Sequence, residues 1–530
     1  MWKNITRLRI PPSWLLVPLI YLNLTCAIEF THHHDHSSWI YEADTVEQGI
    51  QKFEKGNTLN LDNLVILQES VPVKDSLNYN SLLSYKFEPD LSSQWINSYQ
   101  LLVYLSASMC QLPTGWDTGS SNNGLSIYYT FNSTLAESMM IDQMSKMDFN
   151  NGFAEGLAEI TIVGDRTDYT LFIITTPDYC DNCTNDSTWV FELAISQRTT
   201  LFVYDTDARI SVVDVDYTSA LFEAEEIIFG VNRTYGMYIF ENNYPLPVAL
   251  NQSWCAINEV SEYKQVVNIN ETNVRGHSNV FLVSDLEVAS SYSAVLVITY
   301  TNLPYGGGVF QPFNFTTSKT KSCRLAYDLD FCDEVAYAVP ISADLLYNRE
   351  SWQDFIAAYD NYTESLYKPF EFAMQLITCD TELDARYSPI RTCDDCKYSY
   401  KQWLCAVSIP RCVSDLDAGL QNKHYRKEDG RNELIRNIIK PPLPYAEVFP
   451  CLNVCQAIVR DCPSDFGFSC PQVPALAKLS YGDPEFEDSG NSFEGLSTAT
   501  AVDGSVETYR VCNYLGGSNI ATSTTTSPIA

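Results

Sequence analysis

The chain has 530 residues, with 66 acidic against 33 basic side chains and a formal net charge of −33 at pH 7. That balance excludes nucleic acid and an anionic membrane surface as partners, since both demand a basic face. It is read mainly as a solubility feature of a secreted protein, and secondarily as a field that draws cations. The 17 cysteines point to an oxidising compartment.

The N-terminus agrees with that compartment. Lys3, Arg7 and Arg9 precede an apolar run from Trp14 to about Leu24, interrupted by Pro18, and Thr25-Cys26-Ala27 offers small residues for cleavage. This pattern predicts a signal peptide over 1–27. Residues 28–75 read as a lead-in segment, with His32-His33-His34-Asp35-His36 taken as a flexible tail rather than a metal site and a short helix from Val46 to Lys55. From about 76 the chain is β-rich. Gln100–Ser106, Tyr169–Thr176, Trp189–Ile195, Leu201–Tyr204 and Ala294–Tyr300 are short strands, three of them closed by proline-containing turns. Two antiparallel β-sandwich units are expected, over 76–230 and 231–322. Between the strands, Leu135, Met139, Met140, Met144 and Met147 have near-helical spacing and read as core packing.

From 323 to 515 the pattern turns helical and rich in cysteine. Trp352, Phe355, Ile356, Tyr359, Tyr362 and Leu366 mark an amphipathic helix, which Phe370 to Ile377 extends past Pro369. Leu434 to Ile439 is a second helix, stopped by Pro441-Pro442, and Cys451 to Val459 a third. Cys451, Cys455 and Cys462 fall on one helical stripe, which must be stapled to other segments. Lys423-His424-Tyr425-Arg426-Lys427 is the most basic patch of the chain and reads as a solvated loop or a partner contact. Residues 516–530 form a disordered Ser/Thr tail without a lipid-anchor signal. The fold class expected is therefore α+β and multidomain.

Without Cys26 the cysteines number sixteen. Cys110, Cys180, Cys183 and Cys255 lie early, and Cys323, Cys332, Cys379, Cys393, Cys396, Cys405, Cys412, Cys451, Cys455, Cys462, Cys470 and Cys512 late. Each group is even and is expected to pair internally, with a connectivity that spacing does not reveal. Cys180-Asp181-Asn182-Cys183 and Cys393-Asp394-Asp395-Cys396 have redox or zinc spacing, but their acidic neighbours disfavour a thiolate, so structural disulfides are expected. Sequons stand at Asn132, Asn182, Asn185, Asn232, Asn251, Asn270, Asn314 and Asn361, and none follows. Asp205, Asp207, Asp214 and Asp216 form two Asp-x-Asp pairs, read as exposed strand-end acids or half a calcium site, with Ile210 where an EF-hand needs glycine. No nucleophile elbow, zinc-protease helix or phosphate loop is present, and a carboxylate-pair glycosidase is the one enzymatic alternative. No catalytic residue, metal site or cofactor is assigned.

The signal peptide, the sequon-rich β region and the late cysteine cluster together resemble the fungal stretch-activated calcium-channel subunit of the mating-induced-death type. The resemblance is most specific in Cys393-Asp394-Asp395-Cys396, Trp403-Leu404-Cys405-Ala406, Ile409-Pro410-Arg411-Cys412 and Pro444 to Pro471. Those segments are also similar to frizzled-type cysteine-rich domains, where Val448-Phe449-Pro450-Cys451 matches the opening of the cysteine-bearing helix, and to the auxiliary subunit of the animal sodium-leak channel. The resemblance implies a non-catalytic regulatory subunit seated on the extracellular loops of a large four-repeat, voltage-gated-type calcium channel. It implies membrane association through that partner, at the extracellular face of the plasma membrane with the endoplasmic reticulum membrane as a second location. Calcium influx in stress or mating response is the implied role. A secreted or cell-wall binding module is the alternative outside catalysis.

Overall fold

A computed structural model describes residues 50–52, 59–91, 100–162, 169–180, 182–224, 233–241, 245–264, 268–274, 277–300, 306–379, 386–413, 424–426, 431–482, 496–500, 506–510, 512–513 and 515. The chain divides into two compact units, Met1–Glu42 and Ala43–Ala530, and every described residue lies in the second. The signal segment, the histidine cluster, Asn232 and the 516–530 tail lie outside the described residues.

The first layer is a ten-stranded, curled sheet. Its order is Ile50–Lys52, Ser81–Phe87, Leu171–Pro177, Asn122–Thr130, Ser145–Asn150, Phe153–Thr161, Gln100–Gln111, Thr188–Ser196 and Val73–Asn78, with Val65–Ile66 added in parallel beside Ser81–Phe87. Aliphatic and aromatic residues alternate inward along these strands: Leu101, Val103, Leu105, Ala107 and Met109 on one strand meet Trp189, Phe191, Leu193 and Ile195 on its neighbour. Period-two alternation is what a sheet with one core face requires. One expectation fails here. Ile50–Lys52 is a strand paired with Ser81–Leu83, inside the segment expected to be helical. The methionine stripe packs into core as expected at Met144 and Met147, with Leu135 and Met139 partly buried beside Met144, although its residues do not share one helix. Helix α1 is only Ser133–Glu137, Met139 adopts a left-handed φ of 51°, and Met147 lies on the strand Ser145–Asn150. A left-handed residue ends the helix, and a local spacing pattern carries no information about that break.

Two further sheets face each other across a second core. One holds Phe202–Asp205, Gly307–Phe310, Ser291–Tyr300, Arg233–Glu241 and Phe313–Thr316, the other Ile210–Val215, Ala220–Ala224, His277–Ser284 and Asn268–Val274. Phe222, Phe281 and Val283 of the second meet Ile239, Leu296, Phe313 and Phe315 of the first. Strands from both sides of residue 230 share this core. Helix α2, Trp254–Lys264, lies between the layers. Its Ala256 packs into the first sheet and its Ile257 against Val295 and Val297 of the second layer, while Cys255 is bonded to Cys110. Ser253 starts this helix, its Oγ accepting from the Ala256 N–H at 3.0 Å.

The four-stranded sheet is buried on its other face too. Val213, Leu221 and Val280 pack on Leu325, Ala336 and Ala338 of the hairpin Cys323–Ala326 and Tyr337–Pro340. That hairpin opens the helical region, which contains α3 (Ala343–Leu346), α4 (Trp352–Met374), α5 (Cys393–Ser408), α6 (Leu452–Asp461) and α7 (Pro474–Ala477). Helix α4 runs through Pro369 without a break and buries Phe355, Ile356, Tyr359, Thr363, Phe370 and Met374 at three- and four-residue intervals. Leu434–Ile439 forms a π-helical turn, ended by Lys440 at φ 49° before the two prolines.

Candidate functional site

Six disulfides define the helical region: Cys323–Cys412, Cys332–Cys405, Cys379–Cys393, Cys396–Cys462, Cys451–Cys512 and Cys455–Cys470. The early cysteines bond as Cys110–Cys255 and Cys180–Cys183. Helix α5 carries Cys393, Cys396 and Cys405, and so connects to three different segments. Its start is fixed by a capping box: Thr392 Oγ1 accepts from the Asp395 N–H at 3.2 Å, and Asp395 Oδ2 accepts from the Thr392 N–H at 2.8 Å. These bonds hold the Asp395 carboxyl below the usual carboxylate range.

The expected stripe of three cysteines is corrected. Only Cys455 lies within α6, while Cys451 and Cys462 are its two extended caps, with ψ of 142° and 155°. The three therefore leave in different directions, towards Cys512, Cys470 and Cys396. Pro463 pushes the preceding Cys462 to extended backbone, which explains why seven-residue spacing did not continue the helix. Cys180-Asp181-Asn182-Cys183 closes on itself, whereas the two cysteines of Cys393-Asp394-Asp395-Cys396 bond to different partners. The second motif is thus not a two-cysteine redox pair. Cys110, Cys255 and Glu259 approach one another closely enough for a metal, but both sulfurs are held in the disulfide.

Buried charge ties this region to the β layers. Arg411, 2 % exposed, donates from Nη2 to Asp214 Oδ2 at 2.6 Å and to the Val213 carbonyl at 3.2 Å, and its guanidinium lies 5.4 Å from the Tyr337 ring centroid. Asp214 also accepts from the Val215 N–H at 2.8 Å and the Ala338 N–H at 3.2 Å. Asp216, fully buried, accepts from the N–H groups of Thr218 and Ser219 at 2.7 Å each and of Leu325 at 2.9 Å, with Arg324 Nε at 3.5 Å. Burial pushes its carboxyl up, and Arg324 with those N–H groups pulls against that. Asp214 and Asp216 are therefore neither exposed acids nor half a calcium site. Asp205 accepts from Arg209 Nε at 3.0 Å and from the Asp207 N–H at 3.0 Å.

Two smaller charge clusters lie inside the helical region. Glu447, fully buried, accepts from Arg426 Nε at 2.8 Å and from Arg431 Nε. Arg426 belongs to the expected basic patch, which thus spends one charge internally. His424–Arg426 is a strand beside Tyr445–Val448, and Lys423 and Lys427 lie outside the described residues. Asp461 accepts from Arg460 Nε at 2.6 Å, Arg391 Nε at 3.1 Å and the Ser399 hydroxyl at 2.6 Å. Burial would raise its carboxyl, but these donors and the arginine charges outweigh that and hold it below the usual range.

Half-buried aromatic rings form a connected strip across α4, α5 and the segment after α6. Phe370 stacks on Tyr400 at 3.8 Å, and Tyr367, Trp403, Phe466 and Phe468 adjoin them at centroid distances of 5.4–5.9 Å. Of the sequons, Asn132, Asn182, Asn185, Asn314 and Asn361 are exposed and Asn251 is half-buried. Asn270 lies on the strand Asn268–Val274.

The family model described as "Stretch-activated Ca2+-permeable channel component" matches residues 102–515, from the first sheet to the last described residue of the disulfide region. The chain belongs to the Mid1 family. This Mid1-family chain is 29 % identical over 527 residues to "Stretch-activated cation channel MID1" of Saccharomyces cerevisiae, covering 89 % of this chain and 90 % of that protein. It is 29 % identical over 443 residues to "Stretch-activated cation channel yam8" of Schizosaccharomyces pombe, covering 77 % and 87 %. It is a component of a stretch-activated, Ca2+-permeable channel and not an enzyme. Among solved structures, the glycoside hydrolase domain of Endo-D from Streptococcus pneumoniae R6 is 10 % identical with a TM-score of 0.19, covering 47 % of this chain and 33 % of that one. A score that low carries no argument for the glycosidase alternative. Among the described residues, no helix of this Mid1-family chain is long and apolar enough to cross a membrane.

Proposed function

We propose that this Mid1-family chain is the extracellular auxiliary subunit of a four-repeat, voltage-gated-type calcium channel. In this reading a signal peptide over 1–27 sends it through the secretory pathway. The lead-in 28–75 and the β units 76–230 and 231–322 form a sandwich-type base, glycosylated at its sequons. A frizzled-like domain over 323–515 docks on the extracellular loops of the pore subunit, and residues 516–530 form a tail. It associates with the membrane through that partner and supports calcium influx in stress or mating response.

One observation carries the reading: six disulfides and the buried Arg411–Asp214 and Arg324–Asp216 pairs fix the cysteine-rich region both internally and to the β layers. A surface held that firmly meets a partner with little ordering cost. Docking favours one channel state only through a difference in affinity between states. The test is affinity purification of the tagged full chain from mild-detergent membranes, followed by mass spectrometry. The reading predicts recovery of a large multi-span channel protein. Recovery of glycan or wall material with no channel protein contradicts it.

A further inference from the structure

Within the aromatic strip, Phe370 is buried in a small core with Met374, Cys396 and Ile458, and Tyr367, Tyr400, Trp403, Phe466 and Phe468 pack on it while each keeps an accessible edge, on a framework fixed by Cys379–Cys393, Cys396–Cys462 and Cys455–Cys470. Partly accessible large rings on a rigid support are the composition of binding hot spots, because they bring area at low conformational cost. The rim is acidic. Glu371 lies one turn beyond Tyr367 on the same face of α4, Asp394 opens α5, and Asp465 stands beside Phe466. Glu371 and Asp465 are exposed and have no ion-pair partner among the described residues, whereas Lys397 is taken by Asp394 at 3.0 Å and Lys401 by Asp333 at 2.7 Å. Lys368, next to Tyr367 in α4, is exposed. The Tyr367 hydroxyl is pushed up to about 12, chiefly by burial, with Glu371, Tyr400 and Asp394 adding to it.

Resting on the reading above, we propose that this strip is the docking surface for an extracellular segment of the pore subunit that presents an arginine or lysine between apolar side chains. Ring faces attract a cation and bury its apolar neighbours. The carboxylates at the rim match its charge, and a chain of net charge −33 repels an acidic partner. No sequon follows Asn361, so no N-linked glycan beyond that residue competes for the strip.

The test compares full-length tagged proteins purified from mild-detergent membranes: wild type, Phe466→Ser with Phe468→Ser, Glu371→Lys with Asp465→Lys, and Leu479→Ser as an exposed apolar control outside the strip. Pore-subunit recovery and co-purified lipid are both read by mass spectrometry, and secretion yield is read for each variant. The charge-reversed variant alters only exposed side chains and keeps the test valid if the double serine variant is poorly secreted. The proposal predicts that recovery of the pore subunit falls about tenfold or more in the serine variant. It predicts a several-fold loss in the charge-reversed variant and wild-type recovery in the control. Equal recovery in wild type and charge-reversed protein overturns the strip while leaving the channel-subunit reading intact. Absence of the pore subunit from the wild-type sample overturns that reading itself. Loss of a co-purified lipid at unchanged pore-subunit recovery also overturns the proposal and assigns the strip to an acyl chain.

Discussion

The joint between the β layers and the disulfide region depends on one buried ion pair, and its removal has a calculable cost. Arg411 and Asp214 are 2 % and 6 % exposed in their side chains and 2.6 Å apart. Replacing Arg411 by Met leaves a buried carboxylate with only the Val215 and Ala338 N–H groups, and replacing Asp214 by Asn leaves a buried guanidinium facing one carbonyl and the Tyr337 ring. Breaking such a pair from one side costs roughly 3–5 kcal/mol, because the remaining charge is stranded away from water. In a chain of this size that corresponds to a fall on the order of 4 °C in the unfolding midpoint. Replacing both partners removes both charges and restores part of the loss, so the double substitution should cost about 2 kcal/mol less than the sum of the singles. Thermal unfolding of the four secreted proteins, followed by tryptophan fluorescence, provides the cycle. Single substitutions that each cost less than about 1 kcal/mol, or costs that simply add, refute the assignment of this pair as the joint.

Other perturbations separate the remaining parts of the account. Burial, opposed by Lys74 and reinforced by Glu259, raises the Glu192 carboxyl to about 7, so the folded chain holds that proton longer than the unfolded one does. Wild-type stability should therefore fall by about 3 kcal/mol relative to Glu192→Gln as pH rises from ~4.5 to ~7, read by denaturant unfolding. Asp461 has the opposite sign: its lowered carboxyl stabilises the fold above the usual carboxylate range, and this contribution is lost on acidification in the wild type but not in Asp461→Asn. Opening Cys451–Cys512, with a separation of 61 residues, should cost about 4 kcal/mol and most of the secreted yield. Opening Cys180–Cys183, with a separation of 3, should cost about 2 kcal/mol at most and leave secretion measurable.

The strands were legible because β-branched and aromatic runs, three of them ending in proline turns, are local signals, and Gln100–Gln111, Leu171–Pro177, Thr188–Ser196 and Ser291–Tyr300 lie where those runs place them. The long helix α4 was legible for the same reason, through its buried stripe from Phe355 to Met374. What sequence could not reveal depended on distant partners. Asp214 and Asp216 read as surface acids because their ligands lie 124 and 109 residues away, on Ala338 and Leu325. Arg426 read as part of a basic patch because Glu447 comes later and from another strand. Helix α2 was missed: its polar residues Asn258 and Glu259 interrupt an apolar face that meets two sheets at once. The Ser253 cap just before Trp254 was the signal that could have found it. The aromatic strip was invisible because Phe370, Tyr400 and Phe468 come from three segments far apart in sequence.

Cross-linking mass spectrometry on native membranes, with an amine-reactive reagent, tests most directly whether the disulfide region grips a channel. Lys368 lies on α4 and Lys397 and Lys401 on α5, the two helices that carry Tyr367, Tyr400 and Trp403 of the strip. Cross-links from these residues to extracellular loops of a multi-span calcium-channel subunit, few from Lys74, Lys86 and Lys146 of the first sheet, are the predicted result. Cross-links confined to the first sheet, or a disulfide region joined to no membrane protein, would contradict the account.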